Sequence, residues 1–427
     1  MMFAKEMKPR VIVTHPARMG IIYQRPWAAE KAGMDVRFLT GLYYRPGRFP
    51  YSLVRWLPRR RRQAVEKLLE KRRIEGLSPE NVTSLLGPSL EAILRPMGWI
   101  YQWDQAHDYL ASRWISRQPS SGRTTILHAF TGACLRTLRA ARARRMVRLL
   151  EITLPPLVID EAQLEKWQVS PRDFPDATRI RAEAEESDFV LVQSPFSVEM
   201  MQRLGVRPER IFRIHTGVDT SYFRPRQGAR CPGPMRAIFV GPISRRKGVH
   251  HLLQAWNDLG LENAELLLAG NTTKPEAGEI LRLCGKTARS VGHLSGPDFL
   301  ATLQNADFLV HPSLAEGGCV SIYEALACGI PCIVSSHADS AVRHGEEGLV
   351  VPAGDVEGLK KAILLLSAHT ELRRDMSLAA RRRAESVSLD VFAAEMAAIY
   401  RSIGEVARNG GAPDGSAIAP EAAEIVH

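Results

Sequence analysis

The stretch "AEGGCVSIYEALACG" at residues 315–329 has two glutamates, Glu316 and Glu324, eight positions apart, with Gly317 and Gly318 directly after the first. A loop carboxylate accepts hydrogen bonds from sugar hydroxyls, and a carboxylate in the first turns of a helix can hold a vicinal diol such as a ribose with both oxygens. Glycines let a ligand approach the backbone closely. The alternative for Glu324 is an ordinary first-turn acid that matches the helix dipole.

The residues around this stretch predict a strand, a loop and a helix. "DFLVHPS" is typical of a buried strand, and "CVSIYEALACG" of a helix that ends at Gly329. The free N–H groups near Cys319, Val320 and Ser321 and the positive end of the helix dipole favour a phosphate. The sequence therefore predicts an anion cradle beside the two carboxylates.

A second loop supplies cations. "FVGPISRRKGVHHLLQAW" predicts a strand that ends at Gly241, a loop with Arg245, Arg246 and Lys247, and a helix. Clustered cations after a strand suit a diphosphate, and a basic loop without a ligand is the alternative. Because ligand sites in such sheets lie beyond the carboxyl ends of the strands, the two loops are expected side by side. The chain has no Asp-x-Asp pair, so no metal is expected at the phosphates.

The elements that position these loops fall into two blocks. Short apolar runs alternate with helical stretches, "RPRQGARCPGP" after residue 224 indicates a linker, and the pattern restarts with "MRAIFVG". This alternation predicts two doubly wound α/β domains. The predicted division is 1–224, 225–388, a C-terminal helix at 389–403 that packs back on the first domain, and a flexible tail at 404–427.

Composition narrows the class of protein. The chain has 427 residues, of which 45% are hydrophobic, enough for more than one core. No secretory signal follows "MMFAKEMKPR", and no apolar run is long enough to span a membrane. Six scattered cysteines without metal-ligand spacing are typical of reduced thiols. These observations predict a cytoplasmic location.

The net charge of +11 is concentrated in two stretches. Residues 41–75 have eleven Lys or Arg and three Glu, with the run Arg59 to Arg62 close to Trp56. "RTLRAARARRMVR", at 136–148, has six arginines and no acid. Such patches attract phosphates, so the 41–75 region predicts contact with an anionic membrane surface, a solvated basic face being the alternative. No nucleic-acid motif accompanies the charge, and no nucleic-acid partner is expected.

Three motifs together resemble the retaining family-four glycosyltransferases, also called glycosyl transferases group 1. They are the "E-G-G-C-V…E" string, the "FVG…RKG" loop and "IHTGVDTSYFRP" at the end of the first block. The resemblance is strong from about residue 185 to 353 and weaker toward residue 10. It implies the GT-B architecture, two facing Rossmann-like domains with a cleft, and metal-independent transfer from a nucleotide sugar. The nucleotide (UDP, GDP or ADP) and the sugar stay open.

The resemblance also implies roles for residues of the second block. Arg246 and Lys247, which follow Gly241, would contact the donor diphosphate, and Glu324 would contact the ribose. Lys247 would also act at the reacting centre, together with Glu316. The implied contacts of the transferred sugar are Glu316, Gly317, Gly318, Cys319 and Val320.

Further roles fall outside these two loops. His293 and Leu294, in "SVGHLSG", lie where the family holds the nucleobase through backbone contacts. The side chain of His293 is expected to be a surface or core feature. Gly20, in "HPARMGIIY", matches the glycine loop on the acceptor side.

The chain departs from the family pattern at two places. Pro242 stands where the family has an arginine after "FVG", so Arg245 or Arg246 replaces it or the donor site is weakened. The family's acceptor-side histidine is missing from "LLEITLPPLV". His128 is the first candidate to serve instead, with a satisfied core histidine as its alternative, and Glu151 and Thr153 follow.

The implied reaction is a same-face substitution in which the leaving phosphate takes the proton of the acceptor. The predicted acceptor is a sugar, a lipid-linked molecule or a polysaccharide. A GT-B sugar-nucleotide epimerase and a catalytically silent scaffold protein are the alternatives. The scaffold is supported only by Pro242 and the missing histidine.

Overall fold

The computed structural model describes residues 8–16, 20–41, 43–45, 51–70, 76–85, 100–119, 123–228, 233–338 and 341–409. Three predictions fall partly outside these ranges. They concern segments 46–50 and 71–75 of the basic region, Cys231 in the linker, and the tail from residue 410.

The described residues form two parallel sheets. The strands of the first sheet are β1 (Arg10–His15), β2 (Asp35–Thr40), β3 (Val82–Ser84), β4 (Thr125–Phe130), β5 (Val147–Glu151), β6 (Phe189–Val192) and β7 (Ile211–Arg213). Those of the second are β8 (Met235–Val240), β9 (Ala264–Ala269), β10 (Ala288–Gly292), β11 (Phe308–His311), β12 (Cys332–Ser335) and β13 (Gly348–Val351).

Both sheets have the doubly wound strand order. The first runs β3-β2-β1-β4-β5-β6-β7 and the second β10-β9-β8-β11-β12-β13, with every pairing parallel. The central strands are apolar runs buried on both faces, as β4 shows with all six residues buried. The predicted pair of Rossmann-like domains is confirmed.

The helices connect and cover the strands. In the described ranges they are α1 (Gly20–Lys31), α2 (Arg59–Glu70), α3 (Ile100–Ser116), α4 (Leu135–Ala143), α5 (Glu161–Trp167), α6 (Ala177–Glu185), α7 (Pro195–Arg203), α8 (Val249–Leu259), α9 (Ala277–Leu281), α10 (Gly296–Gln304), α11 (Val320–Ala327), α12 (Val356–Ala368), α13 (Thr370–Ser386) and α14 (Leu389–Asn409). Short 3₁₀ turns occupy Tyr51–Trp56, Pro79–Asn81, Pro171–Asp173 and Pro208–Arg210.

The last helix returns to the first domain. Phe392, Met396, Tyr400 and Ile403 recur at helical spacing and are buried in the same core as residues of α1 and the first sheet. The helix extends to Asn409, so the prediction that residues 404–409 belong to a flexible tail is wrong. The apolar face continues past residue 403, where Val406 packs against the core.

A buried polar network joins this helix to the first sheet. The Arg25 guanidinium donates to Glu151, with Nε 2.9 Å from Oε2, and neither side chain is exposed. His128 lies between Glu151 (Nε2 to Oε2, 2.9 Å) and the Tyr400 hydroxyl (Nδ1 to oxygen, 2.7 Å). Burial alone would raise the pKa of Glu151, but Arg25 and His128 lower it from 4.5 to about 2.

We expect Arg25→Met to destabilise the first domain by about 3–5 kcal/mol, because it leaves the Glu151 carboxylate buried without its cation. Since the pKa of Glu151 is lowered from 4.5 to about 2, its contribution is complete above pH 4.5 and is lost as the pH falls through 2. Urea unfolding measures the change. The exposed pair Arg374–Glu371 provides the control, where Arg374→Met should cost about 0–1 kcal/mol. Equal losses in the two variants would rule out the buried pair as the stabilising element.

Candidate active site

Two loops of the second domain meet because their strands pair. β8 and β11 are neighbours, so the loops after them (241–248 and 312–319) leave the same edge of the sheet. Gly248 has φ +68°, and a β-carbon there would lie 2.1 Å from the carbonyl oxygen of Pro312. The backbone N–H of Leu314 donates to the carbonyl of Arg246 at 2.8 Å. Only glycine at position 248 allows this contact.

The Glu316 carboxylate is the centre of the joined loops. Its Oε1 lies 2.5 Å from Lys247 Nζ and 3.1 Å from an Arg246 nitrogen, and it accepts a hydrogen bond from Ser313 Oγ at 2.6 Å. Glu316 and Lys247 are 5% and 7% exposed. Burial would raise the pKa of Glu316, yet Lys247 and Arg246 hold it well below its ordinary value. All these bonds end on Oε1, so Oε2 is available to accept from a sugar hydroxyl.

A thiol and an imidazole lie beside this carboxylate. Cys319 Sγ is 3.2 Å from His311 Nε2, and His311 Nε2 is 3.9 Å from Glu316 Oε1. Burial would raise the pKa of Cys319, but His311 and Lys247 lower it from 9.0 to about 7. Cys319 caps the start of α11, where predicted phosphate contacts begin.

Glu324 lies one turn further along α11 and is half-buried. Burial raises its pKa from 4.5 to about 7, with the nearby Cys319 adding to the shift. No side-chain hydrogen bond or ion pair joins its carboxylate to another residue of the described ranges. A half-buried carboxyl without a partner is suited to accept a ligand's hydroxyls.

The two arginines of the cation loop are both engaged. Arg246 donates to the carbonyl of Ala315 at 2.8 Å in addition to Glu316. Arg245 points away from Glu316, toward Gln168 Oε1 at 3.1 Å and Glu279 at 3.8 Å. Of the two sequence candidates to replace the arginine missing at Pro242, only Arg246 therefore lies at the glutamate loop.

The remaining predicted positions come after the carboxyl ends of strands, two of them in the second domain and one in the first. His293 and Leu294 directly follow β10, and the preceding Gly292 accepts a hydrogen bond from Gly270 at 2.9 Å. Gly270 in turn approaches Gly241, whose carbonyl would lie 1.7 Å from a β-carbon at position 270. These contacts bring the predicted nucleobase and diphosphate positions to one edge. Gly20 is the first residue of α1, in the other domain.

The first domain closes directly on the glycines of the glutamate loop. A β-carbon on Gly317 would lie 2.0 Å from the carbonyl oxygen of Thr153, and one on Gly318 would lie 1.7 Å from Gln193 Oε1. The Gln193 side chain is fixed in this position because its Nε2 donates a hydrogen bond to Glu151 Oε1 at 2.7 Å. The loop is thus sandwiched between the domains.

Sequence reasoning missed some of these residues and left one of them, His128, open between two roles. Ser313 and His311 stand in the quoted "DFLVHPS", but nothing in the pattern showed that they reach Glu316. Gln193 had no signal beyond its place after β6. His128 is fully buried with both ring nitrogens bonded, which favours its alternative as a satisfied core histidine over a catalytic one.

The described part of the chain has neither a candidate metal cluster nor a membrane-spanning helix. Among the described residues no group of three His, Cys, Asp or Glu side chains could hold a metal ion. None of the described helices is long and apolar enough to cross a bilayer. Metal independence stays a prediction.

The fold and the site define a class. Two doubly wound parallel sheets meet at a cleft that the loops of the second sheet line, which is the GT-B architecture. Residues 225–383, which include most of the second domain, match the family model "Glycosyl transferases group 1".

Relatives and solved structures agree with this class. The chain is 30% identical over 230 residues to an MMP alpha-(1->4)-mannosyltransferase of Mycolicibacterium hassiacum, covering 52% of this chain and 55% of that protein. It is 31% identical over 252 residues to a D-inositol 3-phosphate glycosyltransferase of Rhodococcus erythropolis, covering 53% and 57%. The matches thus span little more than half the length of these curated relatives.

Similar solved structures cover more than nine tenths of the chain. The sucrose-phosphate synthase of Thermosynechococcus elongatus has a TM-score of 0.68 at 20% identity, covering 93% of this chain and 100% of that one. The HepE protein of Anabaena in complex with UDP-glucose has a TM-score of 0.60 at 16% identity, covering 92% and 99%. At these identities the likeness establishes the GT-B fold.

We expect Gly317→Ala to separate the domains, because its methyl group would overlap the Thr153 carbonyl at 2.0 Å. Small-angle X-ray scattering should show a larger radius of gyration. Gly278→Ala, in α9 with open space around it, is the matched control and should leave the scattering unchanged. An unchanged radius of gyration in both variants would mean that the contact does not hold the domains together.

Proposed function

We propose that this protein is a retaining glycosyltransferase that transfers a hexose from a nucleotide-sugar donor without a metal ion. One observation carries the proposal: the buried Lys247–Glu316 pair stands beside the amino-terminal end of α11 at the cleft. A lysine ammonium has three donors, and Glu316 uses one of them. The other donors and the free N–H groups of α11 would neutralise a diphosphate. Similarity to group 1 transferases and to a UDP-glucose complex supports the donor class.

The residues have separate tasks in this proposal. Glu316 fixes the position of Lys247 through Oε1 and offers Oε2 to a hydroxyl of the sugar. Gly317 and Gly318 let the first domain pack directly on the loop that holds Glu316, which fixes this carboxylate at the cleft. Glu324, one helical turn beyond the phosphate, accepts from the two ribose hydroxyls.

The chemical step is a same-face substitution. The bond between the anomeric carbon and the phosphate oxygen breaks, and a bond to the acceptor oxygen forms on the same face. The acceptor's proton passes to the departing phosphate oxygen, so no protein carboxylate attacks the sugar. Lys247 and the helix end stabilise the charge that develops on the phosphate. This assignment needs no acceptor-side histidine, which agrees with the burial of His128.

We expect Lys247→Ala to lower donor turnover by roughly tenfold or more, because the charge on the leaving diphosphate loses its nearest cation. A thermal-shift screen of UDP, GDP and ADP sugars first identifies the donor. The rate at which the protein slowly hydrolyses this donor is then measured for each variant. Lys286→Ala, at an exposed position in the same domain, is the control and should turn over normally. Normal turnover in Lys247→Ala would contradict the assigned role, and a scaffold protein would hydrolyse none of the sugars.

The pH dependence of donor binding, measured by titrating the protein with the selected nucleotide sugar, tests the role of Glu324. Its pKa in the free protein is raised to about 7, and only the ionised carboxylate accepts both hydroxyls. Donor affinity should therefore rise as the pH increases through 7 and then level off. Glu324→Gln should lack this component, and the difference between the two profiles cancels the titration of the nucleotide itself.

We further propose that the acceptor is met at an anionic membrane surface on the cytoplasmic side, as for a lipid-linked or polysaccharide acceptor. The 3₁₀ turn Tyr51–Trp56 and α2 carry this proposal. Leu53 and Trp56 are 53% and 77% exposed, and Arg59 to Arg62 begin three residues after Trp56. Exposed apolar side chains next to a cationic run are typical of helices that lie in a lipid interface.

We expect Leu53→Ser with Trp56→Ser to reduce flotation with phosphatidylglycerol vesicles several-fold, because the apolar anchors are lost. Phosphatidylcholine vesicles should float little of either protein. Leu378→Ser, a 57% exposed leucine on α13, serves as the matched control and should float like the unaltered protein. A protein that floats equally with both lipids would remove the support for an anionic surface.

A further inference from the structure

The second arginine-rich stretch of the sequence lines a cavity far from the cleft. The cavity has a volume of about 560 Å³ and lies where β5, β6 and β7 begin. Its wall is completed by Val406 and Ala407 near the end of α14. Because the cleft lies at the carboxyl ends of the strands, this cavity is at the opposite edge of the first sheet. We name it the arginine pocket after Arg142, Arg145, Arg148, Arg207 and Arg210.

Two of these arginines form a fixed floor. Arg148 binds Asp188 with its side chain, Nε to Oδ2 at 2.9 Å, and with its backbone N–H at 2.8 Å. The guanidinium of Arg210 donates to the carbonyls of Ala184, Ser187 and Asp188 at 2.8, 2.6 and 3.0 Å. Neither cation can swing out to solvent without breaking several hydrogen bonds. Their charge is therefore held in place before any ligand arrives.

The rim is built differently. Arg142 and Arg207 are about two-thirds exposed, and each makes an ion pair, with Glu186 at 3.4 Å and with Glu209 at 3.2 Å respectively. Arg145 is exposed and makes no side-chain hydrogen bond or ion pair with the residues that the structure describes. The rim arginines can thus turn toward a ligand in the pocket.

Arg145 also occupies a backbone conformation that disfavours it. It follows the end of α4 with φ +56°, the left-handed conformation that usually holds glycine after a helix. Its backbone N–H donates to the Arg142 carbonyl at 3.0 Å, which closes the helix end and places the side chain at the pocket. A glycine would suit the turn better, so the arginine occupies this position against the local conformational preference.

Cations outnumber acids at the pocket, even when Glu186 and Glu209 beside the rim arginines are counted. Five guanidiniums line it and Asp188 is the only lining acid among the described residues. Burial together with the neighbouring Arg207 and Arg148 lowers the pKa of Arg210. Like charges that line one pocket repel one another, and a bound oligoanion would reduce that repulsion.

We propose that the arginine pocket is a second binding site of this protein, which takes a phosphate-bearing oligoanion such as a pyrophosphate group. Arginine forks bind phosphate oxygens in pairs, and the fixed floor with a mobile rim suits a group that presents several oxygens. The source is a soluble phosphorylated molecule or the headgroup of an anionic lipid. The site does not depend on the proposed transfer reaction, because it lies at the opposite edge of the sheet.

Calorimetric titration with pyrophosphate tests the site. Every protein in the titration also has Lys247→Ala, so that pyrophosphate binding in the cleft is weakened and does not add to binding at the arginine pocket. Adding Arg145→Gly and Arg207→Gln should weaken binding at least tenfold. Arg145→Gly by itself should leave the melting temperature unchanged or raised, since glycine suits φ +56°. Arg374→Gln with Arg382→Gln removes the same charge from α13 and should leave binding intact.

A second arm identifies the source. The same proteins are floated with phosphatidylglycerol and phosphatidylcholine vesicles on the Leu53→Ser, Trp56→Ser background. Pyrophosphate binding that depends on Arg145 and Arg207 supports a soluble ligand. Flotation that depends on them, without pyrophosphate binding, supports a lipid headgroup. The proposal is overturned if neither ligand responds to these two substitutions, or if the control pair weakens binding equally.

Discussion

The candidate active site depends on one buried ion pair, Lys247 with Glu316. A carboxylate that is 5% exposed and a lysine that is 7% exposed would each be costly to bury alone, so each requires the other. The pair joins two loops that leave neighbouring strands, and Arg246 and Ser313 complete the bonds to the same oxygen. A cation is thereby fixed at the cleft beside a helix end. The charge that a departing diphosphate needs is present before the ligand binds, which is the condition for electrostatic catalysis.

The contact between the domains follows from the same loop. The two residues after Glu316 have no side chains, so the first domain approaches their backbone to distances that exclude a β-carbon. The carbonyl of Glu316 also accepts from Ser194 and Ser197 of the first domain, at 3.3 and 3.4 Å. From Gln193 the hydrogen bonds continue through Glu151 and His128 to Tyr400 of the returning helix. The loop proposed to contact the sugar is therefore connected by hydrogen bonds and close packing to the core of the first domain.

Positive charge is concentrated at two separate places, the cleft and the arginine pocket. The cleft uses few cations, each paired or buried, whereas the arginine pocket uses five cations and one lining acid. This difference fits different tasks. A reacting centre requires a cation at a defined distance, and a binding pocket for an oligoanion requires several donors that can adjust. The net charge of +11 thus reflects separate local features.

The sequence by itself determined the two Rossmann-like domains and the place of the cleft loops, and it predicted Lys247, Glu316 and Glu324 as site residues, which the structure places at these loops and in the helix that follows them. It did so because buried parallel strands read as apolar runs and strand–glycine–helix turns have local signatures. It did not predict β3, which has three residues, or β10, whose polar residues reflect its place at a sheet edge. Only the tertiary structure decided that His128 is buried, that Arg245 turns away from Glu316, and that the arginines of 136–148 meet Arg207 and Arg210. These outcomes rest on contacts between residues far apart in the chain, and local periodicity carries no information about such contacts.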